Sequence, residues 1–588
     1  MDRNRLLPCL LTLLIAALSI PVPEASAQLL DDFETLQGWQ GTNTHGDAVK
    51  VRLGQGEGRT GKALVMDFAF VGFMGAAWAT KEVDLTLPEN FEFSFDIRAE
   101  APINDFEFRL LDSAENVWWL RRIDFVYPSS WTTMRVKKRH FVYAWGPGGR
   151  HDVRWVKKLI FVVSTGSGGK GRVWIDNLRL QRLDDQSITT VHLATRVSSA
   201  LPGGSPRVLE GTLGIGGWTC RDGHQRIDLD LRRPTDIGGM FLDWDSLRFP
   251  TAFEVSLSPD GRQWTKAYIA SRANGLRTPV YLGDREARFM RLDLLTSNRG
   301  RGYALDRLVV QGPEFGFSPN DFFRALTAEA PRGSYPRHMV PEQSYWTVVG
   351  ASGDRKEALM NEQGMIETDK KSFSLEPFLF ADGRLVTWAD VTTTPSLERD
   401  DLPIPSVQWL LPGRITLTTT AVAAGSEGRS HLLVRYRATN IGDTPLRGSL
   451  FVAIRPFQVN PPWQTFTVVG GVARIDSIRC AAVLSVNDRQ VFPLTPPEAM
   501  GAAEFDRGDV TRYLRAGTVP PWKEAIDHVG YASAALQYRL DLDPGASRDV
   551  VVAVPFHADT SGLAPRHDDR SAGAFFERSR TETAAFWA

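Results

Sequence analysis

The chain has 588 residues, room for about three or four domains of ordinary size. Its 68 Lys and Arg against 69 Asp and Glu leave a formal charge of −1 with both signs interspersed. That excludes the one-sided basic stripe that nucleic acid or an anionic membrane selects. With only three cysteines a disulfide framework is excluded as well, and stability has to come from large apolar cores.

In chain order, Arg3 and Arg5 precede an apolar run from Leu10 to Ile20, and Ala25-Ser26-Ala27 follows as a small-x-small cleavage pattern. Residues 1–27 therefore read as a cleaved signal peptide, with mature protein from Gln28 secreted or periplasmic. The run is shorter than the ~20 apolar residues a membrane span needs, and no later segment approaches that length. Cys9 lies before the run and is badly placed for lipid attachment.

Residues 28–183 alternate with period two between Gly, Pro and Asp/Asn turns, as in Phe91 to Ile97, Phe106 to Leu110 and Arg172 to Asp176. Many short strands without an amphipathic helix predict a jelly roll. Residues 184–313 carry further strands at Arg226 to Leu231, Phe253 to Ser258, Arg288 to Leu294 and Leu308 to Val310. Over 314–333 a helical connector is expected, with Ser318 as N-cap, Pro319 in the first turn, Asp321 at the positive end of the dipole, and Phe322, Phe323 and Leu326 on the apolar face. Residues 334–563 hold longer strands and one short helix, Val510 to Arg515 capped by Asp509. From 564 to 588 the pattern turns helical and stops at Phe586-Trp587-Ala588 with neither cap nor polar tail, so an interrupted helical linker is expected there. The fold class expected is all-β: tandem β-sandwich or jelly-roll domains, then one large sandwich, with a short C-terminal helical segment.

Motif chemistry is sparse. Gly56 to Lys62 has phosphate-loop spacing, but Ala63 replaces the Ser/Thr that would hold magnesium and a strand follows, so a Gly-rich hairpin is expected. There is no Gly-x-Ser-x-Gly elbow, and ten histidines show no paired spacing for zinc. In a jelly roll the first and last strands are neighbours, which would bring Asp31, Asp32 or Glu34 near Asp176; hard carboxylates from two strands suit a structural calcium, with Asp32, Glu34 and Asp176 as its ligands. Trp118, Trp119 and Arg121 share a strand, so Trp118 faces away from the other two, and the outward side offers indole to a sugar ring. Of the 17 tryptophans, most are expected in cores.

Three resemblances cover nearly all the mature chain. Asp31 to Glu34 with Gly38-Trp39, and the closing Val173 to Leu178, resemble the bookends of a jelly-roll carbohydrate-binding module. Gly217-Trp218, Ile227 to Leu229, Ser258 to Trp264, Arg288 to Leu292 and Val310 to Gly312 resemble the discoidin (coagulation factor 5/8 type C) module, also a galactose-binding-like sugar binder; the usual Asp-Gly pair before Trp218 is Glu210-Gly211 here. Gly364 to Glu367, Ser374 to Leu379, Arg455 to Trp463 and Leu542 to Gly545 resemble the N-terminal super-sandwich of (α/α)6-toroid glycoside hydrolases and phosphorylases, whose catalytic acids sit mainly on the toroid.

Together these imply carbohydrate binding within a secreted glycan-processing protein, as the non-catalytic N-terminal portion of a glycoside hydrolase or phosphorylase. The partner is a polysaccharide or oligosaccharide, without nucleic acid and without a membrane span. Trp118, Trp119, Arg121 and Trp218 are the candidate sugar contacts, and catalytic residues are not identifiable. A surface adhesion or scaffold protein built from the same modules is the alternative.

Overall fold

The computed structural model describes residues 27–588 except 73, 150–151, 185–192, 341, 465–468 and 565–567; the expected leader, apart from Ala27, lies outside them. Strand makes up 53% and helix 10%, so the protein is all-β, with five antiparallel sheets and a C-terminal helix. No helix among the described residues is long and apolar enough to cross a membrane. The chain forms two compact units, divided between Asp185 and Gln186.

The first unit has twelve strands: β1 (Gln28–Asp31), β2 (Trp39–Asn43), β3 (Val49–Glu57), β4 (Lys62–Phe70), β5 (Ala76–Thr86), β6 (Phe91–Glu100), β7 (Asn104–Leu111), β8 (Val117–Phe125), β9 (Thr132–Lys137), β10 (Val142–Trp145), β11 (Trp155–Ser164) and β12 (Lys170–Arg182). One six-stranded sheet runs β3-β4-β12-β6-β9 with β1 also on β12, and the other runs β10-β8-β7-β11-β5-β2. The core lies between them. Phe91, Phe93, Phe95 and Ile97 from the first sheet meet Phe106, Phe108, Leu110 and Phe161 from the second, with Phe93 and Phe108 edge to face at 5.3 Å. Each such side chain, fully buried, contributes about 1.5–3 kcal/mol. The phosphate-loop spacing is a hairpin, since β3 and β4 pair out to Glu57 opposite Lys62.

The second unit starts with one eight-stranded sheet dominated by two long strands, Gln225–Trp244 and Arg277–Ser297. In Gln225–Trp244 the core residues are Ile227, Leu229, Leu231 and Ile237, then Met240, Leu242 and Trp244. That change from odd to even positions coincides with a register shift between Ile237 and Gly239. The bulge lets both halves of the strand face one core. Trp218 and Tyr303, both fully buried, fill its centre. Cys220 and Cys480 are free and buried, and burial pushes their thiols up to about 12 and about 11.

Helix Pro319–Glu329 begins as its sequence dictates, with the Ser318 hydroxyl accepting the Asp321 N–H at 3.2 Å. It anchors an aromatic cluster: Phe323 meets Tyr531 at 5.0 Å and Phe457 at 5.2 Å, and Phe322 meets Phe315 at 5.2 Å. The rest of the unit is a sandwich of an eight-stranded and a nine-stranded sheet around a second core that includes Leu375, Leu450, Leu536, Tyr436, Val434 and Val552. Helix Val510–Arg515 is capped by Asp509, which accepts the Thr511 N–H. The terminal helix, Asp569–Trp587, lies on the outer face of the nine-stranded sheet, where Ala572 and Phe576 pack with Ile404, Val422, Leu433 and Ala553. Arg435 with Glu577 and Arg548 with Asp569 (2.9 Å) tie it down.

Among the charged groups held inside this unit are Arg455 and the half-buried Asp506. Arg455 is fully buried, 2.9 Å from Glu376 and 3.1 Å from Asp509, with its guanidinium over Phe457. Asp506 accepts the Tyr268 hydroxyl at 2.6 Å, a contact between the first sheet of this unit and its sandwich. Burial pushes its carboxyl up to about 7; Tyr268 opposes the shift and the Asp527 and Glu504 charges add to it.

Arg455→Met, which strands Glu376 and Asp509, is expected to lower stability by about 3–5 kcal/mol in urea unfolding, and adding Glu376→Gln should restore part of it. A carboxyl whose folded pKa is raised holds its proton better folded than unfolded, so stability falls as pH rises from about 4 to about 7. Asp506→Asn should flatten that slope in midpoints measured across the window.

Candidate functional site

Along β7 the phenyl rings of Phe106 and Phe108 and the Leu110 side chain enter the core, so Asp105, Glu107 and Arg109 leave on the outer face. Cross-strand partners share a face. Arg109 stands opposite Trp119 of β8 and Glu107 opposite Arg121, which puts both β8 residues outside. On the other side Glu107 is level with Val162 of β11, which is level with Trp78 of β5. A bulge between Tyr143 and Trp145 in β10 reverses the alternation and turns Trp145 outward, level with Val117.

The result is one cluster. The Arg109 guanidinium lies 5.1 Å from the Trp78 ring, 5.5 Å from Trp119 and 5.2 Å from Trp145. Trp119 and Trp145 meet edge to face at 5.2 Å. Beneath them Arg109 Nη2 is 2.5 Å from Glu107 Oε2, and the Ser164 hydroxyl donates to Glu107 Oε1 at 3.3 Å. Arg121 pairs with Asp105 at 2.9 Å and lies 5.3 Å from the Trp119 ring. Both guanidiniums are neutralised by carboxylates, so the face is aromatic and polar without net charge. Trp145 is 46% exposed, Trp78 and Trp119 are half-buried, and the Trp78 indole N–H has no hydrogen-bond partner among the described residues. Indole rings beside fixed guanidiniums can hold the apolar face of a flat ring and donate to its oxygens.

Two expected sugar contacts are corrected. Trp118 is 3% exposed and packs in the core against Tyr143, because alternation sends it opposite to Trp119. Trp218 is fully buried, its indole N–H donating to the Ser199 carbonyl at 2.8 Å. Trp119 and Arg121 do share the outer face. Sequence reasoning missed Trp78, Arg109 and Trp145. The alternation around Phe106 and Phe108 already puts Arg109 on the outer face, but which strands flank β7 is not written in local sequence.

The expected calcium ligands are near one another yet engaged otherwise. β1 does pair with β12, Asp31 opposite Leu178. Asp31 accepts N–H groups of Phe33 and Trp39, both at 2.8 Å, and also binds Lys81. Asp32 accepts the Glu34 N–H at 3.2 Å, and Glu34 accepts the Lys62 N–H at 2.8 Å. Asp176, fully buried, accepts the N–H groups of Arg59 (2.8 Å), Thr60 (3.0 Å) and Asn177 (2.7 Å). Burial raises its carboxyl while these donors lower it, and the net direction is up. Glu34 and Asp176 thus clamp the Gly58 to Lys62 turn. Each of these carboxylates accepts backbone N–H groups, and no group of three or more His, Cys, Asp or Glu among the described residues is placed to hold a metal.

No protein-family model and no curated protein matches the chain. Among solved structures it is similar to the family 11 carbohydrate-binding module of the cellulosomal cellulase Lic26A-Cel5E of Clostridium thermocellum, with 21% identity and a TM-score of 0.24 over 27% of this chain and 96% of that one. It is also similar to that family's module from the same organism in complex with a β-1,3-1,4-mixed-linked tetrasaccharide, with 20% identity and a TM-score of 0.24 over 27% of this chain and 98% of that one. A third is chitosan-binding module 2 in complex with chitotriose, from a chitosanase/glucanase of Paenibacillus sp. IK-5, with 23% identity and a TM-score of 0.19 over 21% of this chain and 99% of that one.

Asp176→Ala removes three hydrogen bonds from a buried acceptor and its partners, and is expected to cost the first unit about 1–3 kcal/mol in urea unfolding. Calcium or a chelator should leave the wild-type midpoint in place.

Proposed function

We propose that the chain binds a glycan on the outer face of β10-β8-β7-β11-β5. The observation that carries this reading is the grouping of Trp78, Trp119 and Trp145 around the Arg109 guanidinium, with Trp145 46% exposed. Half-open indoles held rigid by a buried ion pair lose little entropy when a sugar ring stacks on them. The part-exposed Arg121 guanidinium supplies donors for hydroxyl oxygens, and the neutral balance suits an uncharged polysaccharide or oligosaccharide.

The wider reading is a secreted or periplasmic glycan-processing protein in which this unit is the sugar-binding part and the second unit combines a discoidin-like module with a super-sandwich. The leader pattern at residues 1–27 supports export. The segments behind the super-sandwich resemblance also lie together: Ser374 stands opposite Arg455, and Glu367 accepts the Asn460 N–H at 2.9 Å.

The test is affinity electrophoresis of the chain against a panel of neutral polysaccharides. Trp145→Ala and Trp119→Ala are each expected to weaken binding to the retained glycan by about tenfold or more, while Trp264→Ala in the second unit leaves it unchanged. Absence of retention by the wild type across the panel would sink the reading.

A further inference from the structure

The opposite face of the first unit carries a second feature that the indole cluster does not use. On the sheet β3-β4-β12-β6, cross-strand register sets Arg52 opposite Asp67, Asp67 opposite Arg172, and Arg172 opposite Glu100. Signs alternate along this row, and Arg172 lies 2.6 Å from Asp67. Two residues along the same strands, and so on the same face, the row reads Lys50, Ala69, Lys170. Its only central side chain is a methyl group. Neither lysine has an acid opposite it, and among the described residues Lys50, Lys170 and Arg52 have no ion-pair partner. Between the rows lies an open depression of about 500 Å³, lined by four basic side chains (Lys50, Arg52, Lys170 and Arg172) and two acidic ones (Asp67 and Glu100), with Ala69 as its floor.

We infer that this depression is an anion subsite that takes a carboxylate or sulfate group of an acidic polysaccharide. Adjacent strands are about 4.8 Å apart, so two lysines flanking one strand reach over the small Ala69 from backbones about 10 Å apart. Their ammonium groups can converge on one anionic oxygen cluster above it. The alternating row beside them is internally neutral and fixes Arg172, which leaves the excess charge with the lysines. Exposed pairs of this kind are individually weak and salt-screened, so a repeating polyanion that re-engages is a better occupant than a single small anion. The subsite uses no residue of the indole face and stands or falls independently of it.

The experiment is affinity electrophoresis of the full chain at low salt in gels containing alginate, dextran sulfate or uncharged dextran, with phosphatidylglycerol vesicle flotation beside it. Alginate against dextran sulfate separates carboxylate from sulfate ester. The expected result is retention by at least one acidic polymer that weakens with added salt, falls about tenfold or more in Lys50→Glu/Lys170→Glu, and falls less in the milder Lys50→Ala/Lys170→Ala pair. Trp145→Ala should leave acidic retention intact, and the lysine variants should leave neutral-glycan retention intact. Wild-type retention of acidic but not neutral polymers would remove the indole-face reading and keep this one. The inference is overturned if neither acidic polymer is retained, if the charge reversal leaves retention unchanged, or if the lysines matter only for vesicles.

Discussion

On β7 the phenyl rings of Phe106 and Phe108 point one way and the charged ends of Glu107 and Arg109 the other, and this alternation governs both faces of the first unit. Burying the rings between two sheets fixes which residues are left outside. Charged groups then have to be satisfied where they stand, which is why Arg109 meets Glu107 directly and lies among indoles instead of water. The same rule on β3, β4 and β12 leaves Lys50 and Lys170 facing each other across Ala69. One face therefore ends neutral and aromatic, the other open and cationic, without either being encoded as a motif.

Buried charge does different work in the two units. In the first, Glu107 and Asp176 are acceptors that hold a guanidinium and a turn in position. Glu34 and Asp176 bind the hairpin between β3 and β4 through backbone N–H groups, so the turn is set by carboxylates from the loop after the first strand and from the last strand. In the second unit Arg455 joins Glu376 on a sheet strand to the helix cap Asp509, and Asp506 receives Tyr268 from the neighbouring sheet. Breaking such pairs is costly because the partner stays buried, whichever way the intact pair itself balances.

Bulges recur where a surface has to be re-aimed. The irregularity between Ile237 and Gly239 changes which positions of one long strand face the core, so a single sheet wraps around Trp218. The bulge between Tyr143 and Trp145 turns an indole out of the core and into the cluster around Arg109. One inserted residue decides whether a tryptophan is packing or surface.

The all-β class, the capped helices at Pro319 and Val510, the helical pattern from Ser571 and the hairpin at Gly58 were legible in the sequence, because period-two alternation, caps and turn residues act over a few neighbouring positions. So was the opposition of Trp118 and Trp119, although not which of them is wet. Tertiary structure alone decided that Trp118 and Trp218 are core, that Trp78 and Trp145 join Trp119 around Arg109, and that the carboxylates expected to gather around calcium instead hold N–H groups. Those outcomes depend on which strands become neighbours and in what register. Neighbours are chosen by burying whole sheet faces at once, and that choice leaves no local trace in the chain.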